Sequence, residues 1–354
     1  MQAIPASETA SPAVWQQRPQ VSVIMLTRDH EPYLAEAVSS VIAQRLEGSL
    51  ELLIGEDCSA DGTLALALAL QRQWPALIRV IHAEVNVGIR DNFLRLLVRA
   101  RAPLIAVLEG DDRWVHPHKL ALQSRLLRAD PSLACVGGIT LNRPPLGPPP
   151  GRDRLDLVAL LRRYVVHSSA LVFWRDLALP YPNFPEGALD SMLLAVLTAR
   201  GDCGWIGQPV SWYRRHRGGY WSGAQRSQRL RLSLDCIAVI GAYLGGRYGR
   251  ELAARELWIH RLDWPLPADN PWRHWLGSWQ ILWRRGPRLL VLAPPGAAGV
   301  GAVDRDPAGR PAAGAVAPRR HNGSETGHPV ATTTSGGFPR RGTAASVGRV
   351  ADLR

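Results

Sequence analysis

What most limits the fold of this chain is a series of four short apolar runs, each closed by a polar cluster. Val21–Leu26 is a nearly continuous stretch of Val, Ile, Met and Leu, and Leu50–Ile54, Ile78–His82 and Leu104–Leu108 are further short β-rich runs. A strand with one wet face would carry a polar residue at every second place. Near-continuous runs of five or six instead mark strands covered on both faces. Between the first two runs, Leu34, Ala37, Val38, Val41 and Ile42 recur at helical spacing. Leu64–Leu70 alternates at period two, but Ala and Leu are strong helix formers and the turn residues Ser59-Ala-Asp-Gly62 precede it. A helix is expected there. The order β-α-β-α-β-β predicts an α/β, Rossmann-like fold, a mostly parallel sheet sandwiched by helices. Crossovers in such folds are right-handed, and ligands sit outside the carboxyl ends of the strands.

Composition removes several alternatives. No run of eighteen apolar residues occurs in the 354, so no membrane-spanning helix is expected. Residues 1–20 lack a basic stretch followed by an apolar core; they read as a disordered arm, not a secretory signal. Cys58, Cys135, Cys203 and Cys236 are widely spaced with no C-x-x-C pair, which favours a reducing, cytoplasmic setting. The net charge of +12 comes almost wholly from arginine, since Lys119 is the one lysine. Ten arginines against four acids lie between Arg285 and Arg354, so part of the excess is a compositional bias of the tail. Between Val21 and Gly223 no aromatic-and-basic pattern of a nucleic-acid module appears, so no nucleic-acid partner is expected.

Each predicted strand ends in chemistry. Thr27-Arg-Asp-His30 follows the first, Glu56-Asp-Cys-Ser-Ala-Asp-Gly-Thr63 the second, Asn86-Val-Gly-Ile-Arg-Asp-Asn92 the third and Glu109-Gly-Asp-Asp-Arg-Trp114 the fourth. One such loop is usually a helix cap or a solvated turn. Four on one sheet edge form a crowded acidic crevice, costly unless cations or ligands share it. Glu109, Asp111 and Asp112 present hard oxygens at one rim, the donor type that suits Mg²⁺ or Mn²⁺ beside phosphates. A nucleotidyltransferase on such a sheet would carry a Gly-rich basic loop after the first strand; Thr27–His30 has no glycine. A catalytically silent nucleotide-binding protein is the other alternative.

In order and spacing, these segments resemble family 2 glycosyltransferases of the GT-A fold. The resemblance continues through His116-Pro-His-Lys-Leu120 and His167-Ser-Ser-Ala170 to Trp212-Tyr-Arg-Arg-His-Arg-Gly-Gly-Tyr-Trp-Ser222, and covers roughly residues 20–223. It implies inverting transfer from a nucleotide-diphosphate sugar, of UDP or TDP type, to a saccharide or lipid-linked acceptor in cell-surface polysaccharide synthesis. It further implies that Asp57 pairs with the nucleotide base and that Thr27 lines that pocket. Asn86, Arg90 and Glu109 join the donor site, Asp111 meets the ribose, and Asp112 holds a divalent ion. His216 is then a further metal ligand or a diphosphate contact. Glu109 stands where the family has Asp, and Cys58 where it often has Gly. For Asp190 two roles stay open and compatible: the general base, or the N-cap of a helix over Met192–Ala199.

Beyond the domain at 21–223, residues 224–292 read as a helical, Trp-rich extension. Asn270-Pro-Trp272 is a good helix start, and Trp272, Trp275, Trp279 and Trp283 would form one stripe. That stripe either packs on the domain or lies on an anionic membrane surface at the inner face. From Ala293 to Arg354 the chain is Pro, Gly, Ala and Arg with few large apolar residues, and a disordered tail is expected.

Overall fold

The computed structural model describes residues 6–142, 152–162, 166–182 and 189–263. The Trp stripe and the tail expected to be disordered lie outside these. The elements run β1 (Ser7–Ala10), β2 (Val21–Thr27), α1 (Glu31–Ile42), β3 (Leu50–Glu56), α2 (Thr63–Gln73) and β4 (Ile78–His82). Then come α3 (Gly88–Leu97), β5 (Leu104–Glu109), β6 (Arg113–Trp114), α4 (Lys119–Ala129), β7 (Leu133–Leu141), β8 (Arg154–Leu155) and α5 (Leu157–Arg162). The series ends with β9 (Val172–Trp174), α6 (Leu189–Thr198), β10 (Asp202–Trp212), α7 (Arg226–Tyr243) and α8 (Gly249–Asp263).

The strands form one sheet in the order β1-β4-β3-β2-β5-β9-β7-β10-β6, with β8 on β10. Its centre, β4-β3-β2-β5, is parallel, as the apolar runs predict. Side chains of a strand alternate between faces, and the two cores divide accordingly. Val21, Val23 and Met25 of β2 pack with Leu34, Val38 and Val41 of α1 on one face. Ile24 and Leu26 pack with Phe93, Leu96 and Leu97 of α3, and with α6, on the other. Each buried Val or Leu contributes about 1.5–3 kcal/mol relative to exposure. Both faces are therefore covered, and the polar loops gather at the strand ends.

Two expectations are corrected here. The expected order left no helix between the third and fourth strands, yet α3 fills that crossover, as a parallel pair requires. The N-terminal arm is not disordered over its whole length either. Within it, β1 pairs antiparallel with β4, and Glu8 meets the Arg79 guanidinium at 2.7 Å. The extension is helical over its described part, α7 and α8. No described helix is long and apolar enough to cross a membrane.

Candidate active site

The site begins with two loops that hold each other. Asp61 accepts hydrogen bonds from the Glu31 and Thr63 backbone N–H groups and from the Thr63 hydroxyl, so it caps the starts of α1 and α2 together. Glu31 returns the favour by accepting from Gly62 N–H at 2.9 Å. Asp29 accepts from Ala60 N–H at 2.7 Å. Much of the acidic content of these two loops is thus structural. It fixes the turn that carries Asp57 against the end of β2.

Asp57 is buried, and its two carboxylate oxygens accept from Val87 N–H at 2.8 Å and Gly88 N–H at 2.9 Å. Those are the orphan amides at the start of α3, where a carboxylate also answers the helix dipole. Asn86 is exposed and closes a turn onto Gly88 N–H. Arg90 is half-buried and pairs with Asp91.

Gly110 is required by closeness. A Cβ there would stand 2.6 Å from Thr27 Oγ1 and 2.9 Å from His30 Nδ1. Among the described residues, both of those atoms are buried without a hydrogen-bond partner. Buried polar atoms are nearly always satisfied, so two orphans beside one glycine mark a place built for something else.

Beyond Gly110 the carboxylates separate into two kinds. Both Asp112 oxygens are occupied by protein: Ser169 Oγ donates to one at 2.7 Å and Arg214 N–H to the other at 2.9 Å. Asp111 instead faces imidazoles, with His216 Nε2 at 2.9 Å and His30 Nε2 at 3.7 Å from its Oδ2. His30, Asp111 and His216 each offer a ligand atom, all within 4.8 Å of one another. Of the two aspartates, Asp111 groups with His216, while Asp112 also holds the loop after β10 through Arg214 N–H. Burial, chiefly, lowers the His30 pKa, with His216 acting in the same direction, and a neutral imidazole is the metal-binding form. His30 was not singled out in the sequence. Its place straight after a buried strand was the available signal.

Glu109 accepts from Ser168 Oγ at 3.1 Å, and its pKa is held well above the ordinary range by burial and then by Asp190, Asp111 and Asp112. Asp190 is half-exposed, in the first turn of α6, with His167 Nε2 at 4.0 Å. Helix α6 already includes Leu189, so Asp190 is inside the helix and is not the N-cap of a helix starting at Met192. His167 is oriented by Ser169 N–H, which donates to its Nδ1 at 3.3 Å. Opposite, Arg214 is held in place. Its Nε donates to the Asp111 carbonyl at 2.8 Å, its tip pairs with Glu36, and its guanidinium lies 4.9 Å over Tyr33. The result is an acidic rim set with histidines.

Comparison with known proteins agrees with this fold. The description "Glycosyl transferase family 2" matches residues 22–166. The Mycobacterium tuberculosis protein Rv1520 is 29% identical over 312 residues, covering 76% of this chain and 87% of its own. S. aureus TarS 1–349 in complex with UDP-GlcNAc superposes with a TM-score of 0.55 at 16% identity, over 74% of this chain and 79% of that one. The mannosyltransferase PcManGT from Pyrobaculum calidifontis, in complex with GDP-Man and Mn²⁺, gives 0.50 at 20% identity, over 81% and 91%. The sheet with both faces covered by helices is that of a GT-A fold, and over residues 22–166 the chain matches glycosyl transferase family 2.

Proposed function

We propose that this glycosyltransferase moves a sugar from a nucleoside-diphosphate donor to a hydroxyl of a saccharide or lipid-linked acceptor, with inversion and with a divalent ion. The observation that carries the reading is Asp111 set between His30 and His216, beside the orphaned Thr27 hydroxyl. Two imidazoles and one carboxylate fit a first-row transition ion such as Mn²⁺ better than Mg²⁺, which prefers an all-oxygen shell. When bound, such an ion neutralises charge developing on a departing diphosphate.

In this reading Asp57 and Thr27 receive the nucleoside, and Asn86, Arg90 and Glu109 border the donor pocket. Asp190 takes the proton of the acceptor hydroxyl as its oxygen bonds to the anomeric carbon and the bond to the diphosphate breaks. His167 beside it keeps the carboxylate facing the rim. TarS and PcManGT bind UDP-GlcNAc and GDP-Man respectively, so uridine and guanosine donors head the screen, with thymidine donors beside them. Four free cysteines suit a reducing cytoplasm, where a lipid-linked acceptor would be met at the inner membrane face.

The test is nucleotide release from a panel of UDP-, TDP- and GDP-sugars, with acceptor, before and after chelation and re-addition of Mn²⁺ or Mg²⁺. Release restored by Mn²⁺ and lost in Asp111→Ala is expected. Full turnover of chelated wild type, or of Asp111→Ala, sinks the metal assignment; release from no donor sinks the donor class.

A further inference from the structure

Arg95 occupies a place where the helix pattern would put a hydrophobe. It lies in α3 among Phe93, Leu94, Leu96 and Leu97 and is only 1% exposed. Its Nε donates to Asn92 Oδ1 at 3.0 Å and one terminal nitrogen donates to the Glu56 carbonyl at 2.6 Å. Its other terminal nitrogen has no hydrogen-bond partner among the described residues, and no carboxylate there forms an ion pair with it. Burying a cation without a paired carboxylate is unfavourable, and an apolar side chain of similar volume would usually hold the core as well or better. The reason for an arginine must therefore lie in what it touches.

What it touches is the peptide that carries Asp57. The Glu56 carbonyl is bound from below by Arg95, while Asp57 N–H donates to the Thr27 carbonyl at 3.1 Å. Asn92, held by Arg95, donates through Nδ2 to the Gly55 carbonyl at 2.8 Å. One residue further on, Cys58 sits at φ +56°, a conformation that L side chains rarely adopt and that persists only where neighbours over-determine it. Arg95 and Asn92 thus clip α3 to the last two residues of β3, and Asp57 returns the clip by holding the first amides of α3. Burial lowers the Arg95 pKa, while the nearby charges of Asp57 and Glu56 act to raise it.

We propose that Arg95 is a positioning residue of the donor site, fixing the Glu56–Asp57 peptide so that the Asp57 carboxylate meets the nucleotide base. This rests on the donor reading given above. The role separates the base end of the donor from its diphosphate end, which lies with His30, Asp111 and His216.

The experiment compares wild type, Arg95→Gln and Arg95→Lys by calorimetric titration with UDP, GDP and inorganic pyrophosphate, each with Mn²⁺, beside thermal melts and steady-state kinetics. For Arg95→Gln, affinity for the preferred nucleoside diphosphate should fall at least tenfold. Pyrophosphate affinity should stay within twofold, donor KM should rise, and kcat at saturating donor should hold. Arg95→Lys, which keeps the charge, should recover part of the loss. Equal weakening toward nucleotide and pyrophosphate, with a fallen melting temperature and no recovery by lysine, overturns the proposal and makes Arg95 a core residue. So does nucleotide binding of wild-type strength in Arg95→Gln. If Arg95→Gln does not fold, Arg95→Lys decides by the same ratio of nucleotide to pyrophosphate loss. Wild type that binds pyrophosphate but no nucleoside diphosphate removes the donor reading, and this inference with it.

Discussion

The two edges of the parallel sheet both bury carboxylates, and they treat them in opposite ways. At the amino edge Glu51 is 1% exposed and fully answered. It accepts from Ser22 Oγ at 2.6 Å, Arg101 N–H at 2.8 Å, Arg101 Nε at 2.7 Å and Arg79 at 3.0 Å. Both guanidinium groups also lie over the Trp15 ring, at 4.7 and 4.9 Å. At the carboxyl edge burial, and then Asp190, Asp111 and Asp112, hold the Glu109 pKa well above the ordinary range, and the nearby Arg214 uses its side chain on Glu36 and a carbonyl. The chain can neutralise a buried acid when holding is the task. Where it leaves acids crowded, the missing positive charge is expected from outside.

The largest expected effect tests the carboxyl edge. Asp190→Asn should lower transfer by roughly 10²–10⁴-fold, the range for a lost general base, with donor affinity and melting temperature nearly unchanged. Turnover beside a thermal melt checks this. A variant that loses stability along with activity would make Asp190 a helix-start residue like the capping Asp61, and the contrast between edges would weaken.

Next comes the amino edge. Glu51→Gln removes one partner of a buried network and leaves Arg79 and Arg101 under-compensated, which costs about 3–5 kcal/mol. Denaturant melts should show that loss, while the folded fraction keeps wild-type kcat. The pH dependence should follow from the same residue. Burial opposes ionisation of Glu51, but the Ser22 hydroxyl, Arg101 and Arg79 outweigh it, and its pKa is lowered from 4.5. A carboxylate with a depressed folded pKa contributes stability that is fully present above the unfolded value. That contribution is lost as the pH falls from about 4.5 through the lower folded value. Wild type should therefore lose stability more steeply than Glu51→Gln below pH 4.5; parallel curves would remove the account.

How much of this was readable depends on where each partner lies in sequence. The central strands were legible because burial on both faces writes itself as contiguous apolar runs. Helix α3 was missed because its first turn, Gly88-Ile-Arg-Asp91, looks like a polar loop and its cap is Asp57, some thirty residues upstream. Strand β1 was missed because Ser7-Glu-Thr-Ala10 is polar and is held by Arg79, which no local pattern announces. At the site, the family motif named the loop, but not which of its aspartates lies beside the histidines. Only the placing of Ser169 and Arg214 on Asp112 shows that Asp111 is the one left facing histidines.

The smallest effect is the sharpest test of the comparison. Glu109→Gln keeps the shape of the side chain and an oxygen to accept from Ser168 Oγ. It removes the one of the four rim acids whose ionisation burial and the other three oppose. If the carboxyl edge is held for ligand chemistry at the expense of stability, the metal-free variant should melt at or above wild type. A gain of roughly 0.5–2 kcal/mol is the usual scale for relieving such a site. Donor binding with Mn²⁺ should weaken, because Glu109 borders the donor pocket in the proposed reading. Paired melts without metal and titrations with it read the two quantities separately. Should Glu109→Gln instead melt far below wild type, as Glu51→Gln should, then Glu109 is a structural acid. The two edges would then differ in composition but not in purpose.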